Sequence, residues 1–379
     1  MTEHEGSQLL IRGVRLVDGP ALSHRTSVLV DGARIAAIGP DLSTAGRTVV
    51  DGEDGVLLPG LIDAHVHLHG EENLEQLVRA GITTALDMGC WPRELVDELR
   101  GRPGLTDIRS AGVPATAPGS AHSHIPGRPD AALVSGPADA ETFVRDRLAE
   151  GSDYLKLIAD VPGLDQPTLD ALVSAARRQG QLTVAHAVRL IPYQMALAAG
   201  ADVITHAPLD AILDEATVAA LAARGRVVVP TLTMMDAVAT RFFGHGADGA
   251  DGARGDAAAP AGPGYHNAQR SVGLLHRAGV PILAGTDANA TVGVPANISH
   301  GPSLHRELEL LVRAGLSAAA AISAATSLPA RHFGLSDRGA IRPGLRADLV
   351  LIGGDPLADI TDSRRVERVW CAGLPATTS

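Results

Sequence analysis

Apolar and polar positions along the chain change period twice. From residue 8 to residue 58, short apolar runs alternate with turn signals, as in "LLIRGVRLVDG", "SVLVDGARIAAIG" and "RTVVDGEDGVLLPG". Each run closes on Asp-Gly or Ile-Gly-Pro, the pattern of strands joined by hairpins. A matching pattern returns in "RADLVLIGGDP" and "RVERVWCAG" near the other end. The two ends are therefore expected to build one small β-sandwich domain, residues 1–58 with 343–379, and residues 59–342 are expected to form a separate body inserted into it.

In that middle stretch the pattern switches to short β-type runs followed by helical intervals. The runs are "GLIDAHVHL", "GITTALDMG", "TDIRSAGV", "DYLKLIAD", "LTVAHAV", "ADVITHAP", "RVVVPTLTM" and "VPILAGTDA". Intervals such as "LDALVSAARRQG" and "EATVAALAARG" carry helical periodicity and end on glycine, as a helix C-terminus does. Eight such units imply an α/β protein, a (β/α)8 TIM barrel. A doubly wound open sheet is the alternative architecture. Residues 242–267, rich in Gly, Ala, Asp and Pro, cannot pack a core; they read either as an inert insertion or, through residues 244–264, as a lid on a βα loop.

Composition narrows the partners. A net charge of −11 offers no basic face to nucleic acid, and no apolar run is long enough for a membrane span. The first residues lack a signal-peptide pattern, so a cytoplasmic protein acting on a small molecule, and assembling as a homo-oligomer, is expected. The two cysteines, Cys90 and Cys371, show no metal or disulfide spacing and read as reduced thiols. Among 32 basic residues only one, Lys156, is lysine, and it sits inside an apolar run.

Barrel active sites lie where strands end at the C-terminal face. The residues at or near those ends are His65 and His67 on the first strand, Lys156 on the fourth, His186 on the fifth, His206 on the sixth and Asp287 on the eighth. His65 and His67, two apart on a strand, face the same way. One buried histidine is usually a satisfied core residue. Four histidines and an aspartate at successive strand ends are the ligand set of zinc and related divalent metals.

The constellation resembles the amidohydrolase superfamily, through "LLPGLIDAHVHLHG", "GSDYLKLIAD", "TVAHA", "VITHA", "LAGTDA" and the return segment "SLPARHFGLSDRGAIRPGLRADLVLIGGDPL". In pattern it is closest to the Xaa-Pro and Xaa-Arg dipeptidases, a prolidase-like, imidazolonepropionase-related subgroup. The resemblance implies a binuclear centre of two divalent ions, zinc first among them. His65, His67 and Asp287 would hold one ion and His186 and His206 the other. Lys156, carboxylated by carbon dioxide, would bridge them together with a hydroxide. A primary amine can form that carbamate and a guanidinium cannot. Asp287 and Lys156 are thus the expected catalytic pair.

The implied reaction is hydrolysis of an amide C–N bond in a dipeptide or N-acyl amino acid. The same centre would also suit a lactone, cyclic imide, ester or phosphoester hydrolase, or a deaminase, although deaminases of this fold usually lack the lysine. A non-catalytic scaffold would be expected to have lost ligands. Candidate substrate contacts are His122 and His124 in "GSAHSHIPGRP" and Arg189 and Tyr193 in "HAVRLIPY". Where dipeptidases of the subgroup often carry an aromatic residue after the fifth-strand histidine, this chain has Val188.

Overall fold

The computed structural model describes residues 8–19, 21–244, 246–248 and 262–376. Six strands come first: β1 (Leu9–Asp18), β2 (Ala21–Leu22), β3 (Thr26–Asp31), β4 (Arg34–Gly39), β5 (Thr48–Asp51) and β6 (Val56–Pro59). Seven more alternate with helices: β7 (Leu61–Val66), β8 (Ile82–Asp87), β9 (Asp107–Ser110), β10 (Leu155–Ile158), β11 (Thr183–His186), β12 (Val203–Thr205) and β13 (Val227–Val229). The last three are β14 (Leu349–Ile352), β15 (Val366–Cys371) and β16 (Leu374–Pro375).

The middle strands run parallel in two ladders, β7-β8-β9 and β10-β11-β12-β13. Two irregular stretches close them into a ring. Ala115 N donates to Lys156 O at 2.9 Å and Ile158 N to Ala115 O at 2.9 Å, which joins β9's extension to β10. On the other side, the eighth apolar run forms isolated bridges instead of a regular strand. Leu283 N donates to Val228 O at 2.9 Å, and His67 N to Ala288 O at 2.8 Å. A regular ladder cannot pass through this run, because Asp287 has φ 58°, outside the extended region. The result is a TIM-barrel-like core.

Helices α1 (Glu71–Arg79), α2 (Arg93–Leu99), α3 (Ala140–Ala149), α4 (Gln166–Arg178), α5 (Leu190–Ala199), α6 (Glu215–Ala223), α7 (Leu232–Phe243) and α8 (Tyr265–Arg277) fill the successive intervals. α9 (Pro302–Arg313), α10 (Ala318–Ala324) and α11 (Ser327–His332) follow the eighth run. Asp165, Asp214 and Ser317 cap the N-termini of α4, α6 and α10 through their side chains. The composition-biased segment was expected on a loop leaving the seventh strand. Instead α7 intervenes, so residues 244–264 connect two helices, and most of them lie outside the described residues.

Both chain ends join one sheet, in the order β16-β15-β14-β6-β1-β3-β4, with β2 and β5 also pairing to β1. The expected sandwich is thus one connected sheet in its hydrogen bonding. β1 is ten residues long; its first half pairs with β3 and β5, and Arg15 and Leu16 in its second half pair with β6. The core of this sheet is aliphatic, with Ile11, Val28, Leu57, Leu349 and Leu351 packed around Trp370. β6 leads into β7 across Gly60, whose N–H donates to Asp348 O at 2.7 Å, so the sheet anchors the strand that carries His65. No helix among the described residues is long and apolar enough to cross a membrane. Cys90 and Cys371 are buried and unpaired.

Candidate metal centre

The ends of β7 and the eighth run meet at Asp287. His65 Nε2 lies 3.3 Å and His67 Nε2 3.1 Å from Asp287 Oδ1, and His206 Nδ1 lies 3.9 Å from Oδ2. One ligand atom from each of His65, His67 and Asp287 falls within 4.8 Å of the others, a spacing that suits a single cation. His206 and His186 stand beside them, with ring centroids 4.9 Å (His65 to His206) and 4.4 Å (His186 to His206) apart. A further observation fits a cation. His186 Nε2 is buried with no hydrogen-bond partner, a cost that bound metal would remove.

Burial sets the protonation of this cluster. It draws His65 down to about 3 and takes His186 and His206 well below the usual histidine range, leaving neutral imidazoles suited to coordination. Burial also works against the Asp287 carboxylate, yet donation from His65 and His67 holds it ionised, well below the usual range.

Lys156 is 2% exposed. It pairs in register with Val184, two residues before His186, and its long side chain spans that difference. Nζ reaches Thr205 Oγ1 at 2.9 Å, and Thr205 is itself the register partner of His186. Burial pulls the amine down to about 7, with Asp287 and Asp87 opposing, so a substantial share of it is uncharged at neutral pH.

The expected substrate contacts divide. The His122 ring lies 4.6 Å from His186, its Nδ1 buried without a partner, and burial draws its pKa to about 4. His124 turns back to Ser120 O at 2.8 Å and is exposed. Arg189 donates to Asp160 Oδ1 and to Val161 O, so its guanidinium is already engaged at the rim. Tyr193 is buried in the core on α5, its hydroxyl unpartnered and its pKa pushed up by burial.

Several supporting residues escaped the sequence reading. Asp63 accepts from Thr286 Oγ1 at 2.7 Å and from the backbone N–H groups of His65 and Thr286 at 3.1 Å, so it ties the first strand to the eighth run; burial pushes it up to about 7. Thr231 Oγ1 is 2.8 Å from His206 Nδ1 and orients that ring. Glu307 on α9 accepts from the backbone N–H groups of Leu232 and Thr233 and so caps α7 beside Thr231. His206, Thr231 and Asp287 all have left-handed backbones, φ 75°, 47° and 58°. Such conformations cost roughly 1–3 kcal/mol each in non-glycine residues and gather where a site is over-determined. Gly285 is required by close approach: a Cβ there would lie 2.5 Å from Val229 Cγ1 and 2.9 Å from His65 N.

Known proteins resemble this chain over most of its length. The amidohydrolase family model matches residues 56–375. An adenine deaminase from Deinococcus radiodurans is 28% identical over 368 residues, covering 92% of this chain, and the chain spans only 59% of that relative's length. An uncharacterised protein of Mycobacterium tuberculosis is 29% identical over 369 residues, with 91% of each chain covered. Among solved structures, a Xaa-Pro dipeptidase with methionine bound in its active site superposes with a TM-score of 0.81 at 24% identity, covering 98% of this chain and 100% of the other.

Proposed function

The chain belongs to the amidohydrolase family, and on that premise we propose that it is a binuclear metal-dependent hydrolase cleaving an amide C–N bond in a small substrate such as a dipeptide or N-acyl amino acid. The observation that carries this reading is Lys156: a buried amine, drawn down to about 7, set among the strand-end histidines. Uncharged, its Nζ can attack carbon dioxide; the N–C bond forms, the nitrogen loses a proton to solvent, and an anionic carbamate results. His65, His67 and Asp287 would hold one ion, His186 and His206 a second, and the Lys156 carbamate would serve both. Zinc suits this nitrogen and oxygen donor set.

Bound divalent metal supplies acidified water and polarises the scissile carbonyl. The remaining work falls to side chains. His65 and His67 face Asp287 Oδ1, the oxygen that would share their ion, so Oδ2 would be the one to accept the proton of the attacking water and deliver it to the departing nitrogen. Thr205 holds Lys156 Nζ in place, Thr231 holds His206, and Asp63 holds the turn that presents Asp287.

The likeness to an adenine deaminase favours a second reading, hydrolytic removal of an amino group from a heteroaromatic ring on the same centre. A panel of dipeptides, N-acyl amino acids, lactones and aminopurines, assayed on protein loaded with metal and bicarbonate, separates the two. Release of amino acid from the first classes supports the amide reading, and ammonia from the aminopurines alone overturns it. Carbon-13 bicarbonate should give a protein-bound carbamate resonance that is missing from Lys156→Arg. Its absence from the wild-type protein would remove the bridging role.

A further inference from the structure

The loop after β9 carries a charged side chain that the metal centre does not explain. The Arg128 guanidinium lies over Trp91, 5.0 Å from the ring centroid, and Trp91 is itself fixed by Nε1–H donation to Gly127 O at 2.8 Å. Arg128 Nε and Nη1 are sealed from solvent without a hydrogen-bond partner. Among the described residues the guanidinium has no hydrogen bond and no ion pair. Burial draws its pKa down to about 10 with no neighbouring carboxylate opposing it.

The contrast with the two most buried arginines is instructive. Arg147 donates to Ala131 O and Glu150, and Arg338 to Asp107, Asp337 and Thr84 Oγ1. A desolvated cation without an anion is costly, and the face of one indole offsets only part of that cost. No carboxylate of the described residues supplies the missing anion. The surroundings say from where it would come: a Cβ at Gly89 would lie 3.4 Å from both Trp91 Cζ3 and His67 Nδ1, so the indole beneath Arg128 flanks the metal centre. Unpartnered nitrogens are found on His186, on His122 beside it and on Arg128.

We propose that Arg128 is a specificity-determining residue, binding a carboxylate carried by the substrate away from the reacting bond. An incoming carboxylate meets Nη2, the guanidinium nitrogen still in reach of solvent, and the indole beneath holds the guanidinium plane. This rests on the amide-hydrolase reading only in assuming that the same pocket holds the substrate. What it adds is a residue: that reading names substrates with a free carboxylate but assigns no side chain to bind it.

The test compares N-acetyl-L-leucine, N-acetyl-L-proline and N-acetyl-L-arginine with their carboxamides on the metal-loaded protein. Initial rates give kcat/KM, and Trp91 emission gives Kd whether or not turnover occurs. The wild-type protein should prefer the acids by about thirtyfold or more, the range of a charge-assisted hydrogen bond. Arg128→Gln should cut that preference to about threefold or less by weakening the acids alone, and Arg128→Lys should keep part of it. Equal treatment of acid and carboxamide by the wild type, failure of every acid to bind, or an unchanged preference in Arg128→Gln would overturn the proposal. Carboxamide turnover without acid preference defeats only Arg128. Acid binding that depends on Arg128 without turnover of any probe defeats only the reaction.

Discussion

Lys156 Nζ and Thr205 Oγ1 are joined by a 2.9 Å hydrogen bond between neighbouring but one strands of the barrel, directly before His206 in the chain. This single neutral partner is what a buried amine can keep while remaining free to lose its proton. Lys156→Arg keeps charge and approximate size but cannot form a carbamate. We expect it to lose at least one metal equivalent and about a hundredfold or more in turnover, beyond the range typical for residues that merely support a ligand. Metal analysis and initial rates after loading with metal and bicarbonate measure both; wild-type values would end the carbamate mechanism.

Thr231→Val preserves shape and branching at φ 47° while removing the hydroxyl beside His206 Nδ1. Metal affinity should fall by about 10–100-fold with the fold intact. Competition against a chelator reads the affinity, and an unchanged constant would show that His206 is oriented by other means.

Gly285→Ala would drive a methyl group against Val229 and His65. Overpacking of this kind costs about 1–3 kcal/mol. Urea unfolding should show that loss together with reduced metal content. Val229→Ala in the same chain should recover only part, because the backbone contact with His65 N remains. Full recovery would mean that the side-chain clash is the entire effect.

A pH dependence of stability arises on α9, outside the ligand set. His305 on α9 is 3% exposed; its Nε2 is 2.9 Å from Ala80 O and its Nδ1 3.0 Å from Ser363 Oγ. Burial lowers its pKa to about 4, so between pH 6.5 and 4 the unfolded chain binds a proton that the folded chain refuses. This contribution to stability is intact above pH 6.5 and declines by up to about 3 kcal/mol as the pH falls to 4. His305→Gln keeps a donor for Ala80 O and should flatten the decline by one proton. Parallel urea midpoints at pH 7 and pH 5 measure the difference, and identical slopes in both proteins would locate the proton elsewhere.

Strand ends were legible because side-chain direction on a strand is local. His65 and His67 announce themselves by a spacing of two, and Lys156 by its chemical isolation. The residues that hold them were not legible, because their partners are remote in sequence. Asp63 reads as one polar residue in an apolar run until Thr286 folds against it. Thr231 is one of two threonines in "PTLT", and nothing local specifies a left-handed backbone there. Arg128 was hidden among many arginines, since the absence of a partner is visible only in three dimensions. For the fold, the helical period beginning at Leu232 was overlooked beside the β-rich "RVVVP" before it, which attached the composition-biased segment to the seventh strand instead of to a helix. The joining of the terminal strands into one sheet depends on how far β1 extends, and hairpin signals do not report length.

The pairing of β6 with β14 links Pro59 to Leu349, about 290 residues later. On a ribosome, β1 and β3–β6 emerge first and must wait, with the Val56–Pro59 edge open, until nearly the whole barrel has been synthesised. Nascent chains halted before β14 should therefore be readily cut by protease near residues 56–59, and chains released after β15 should resist. The strand that delivers His65 is fed directly from this edge, so a segment made late secures the first ligand.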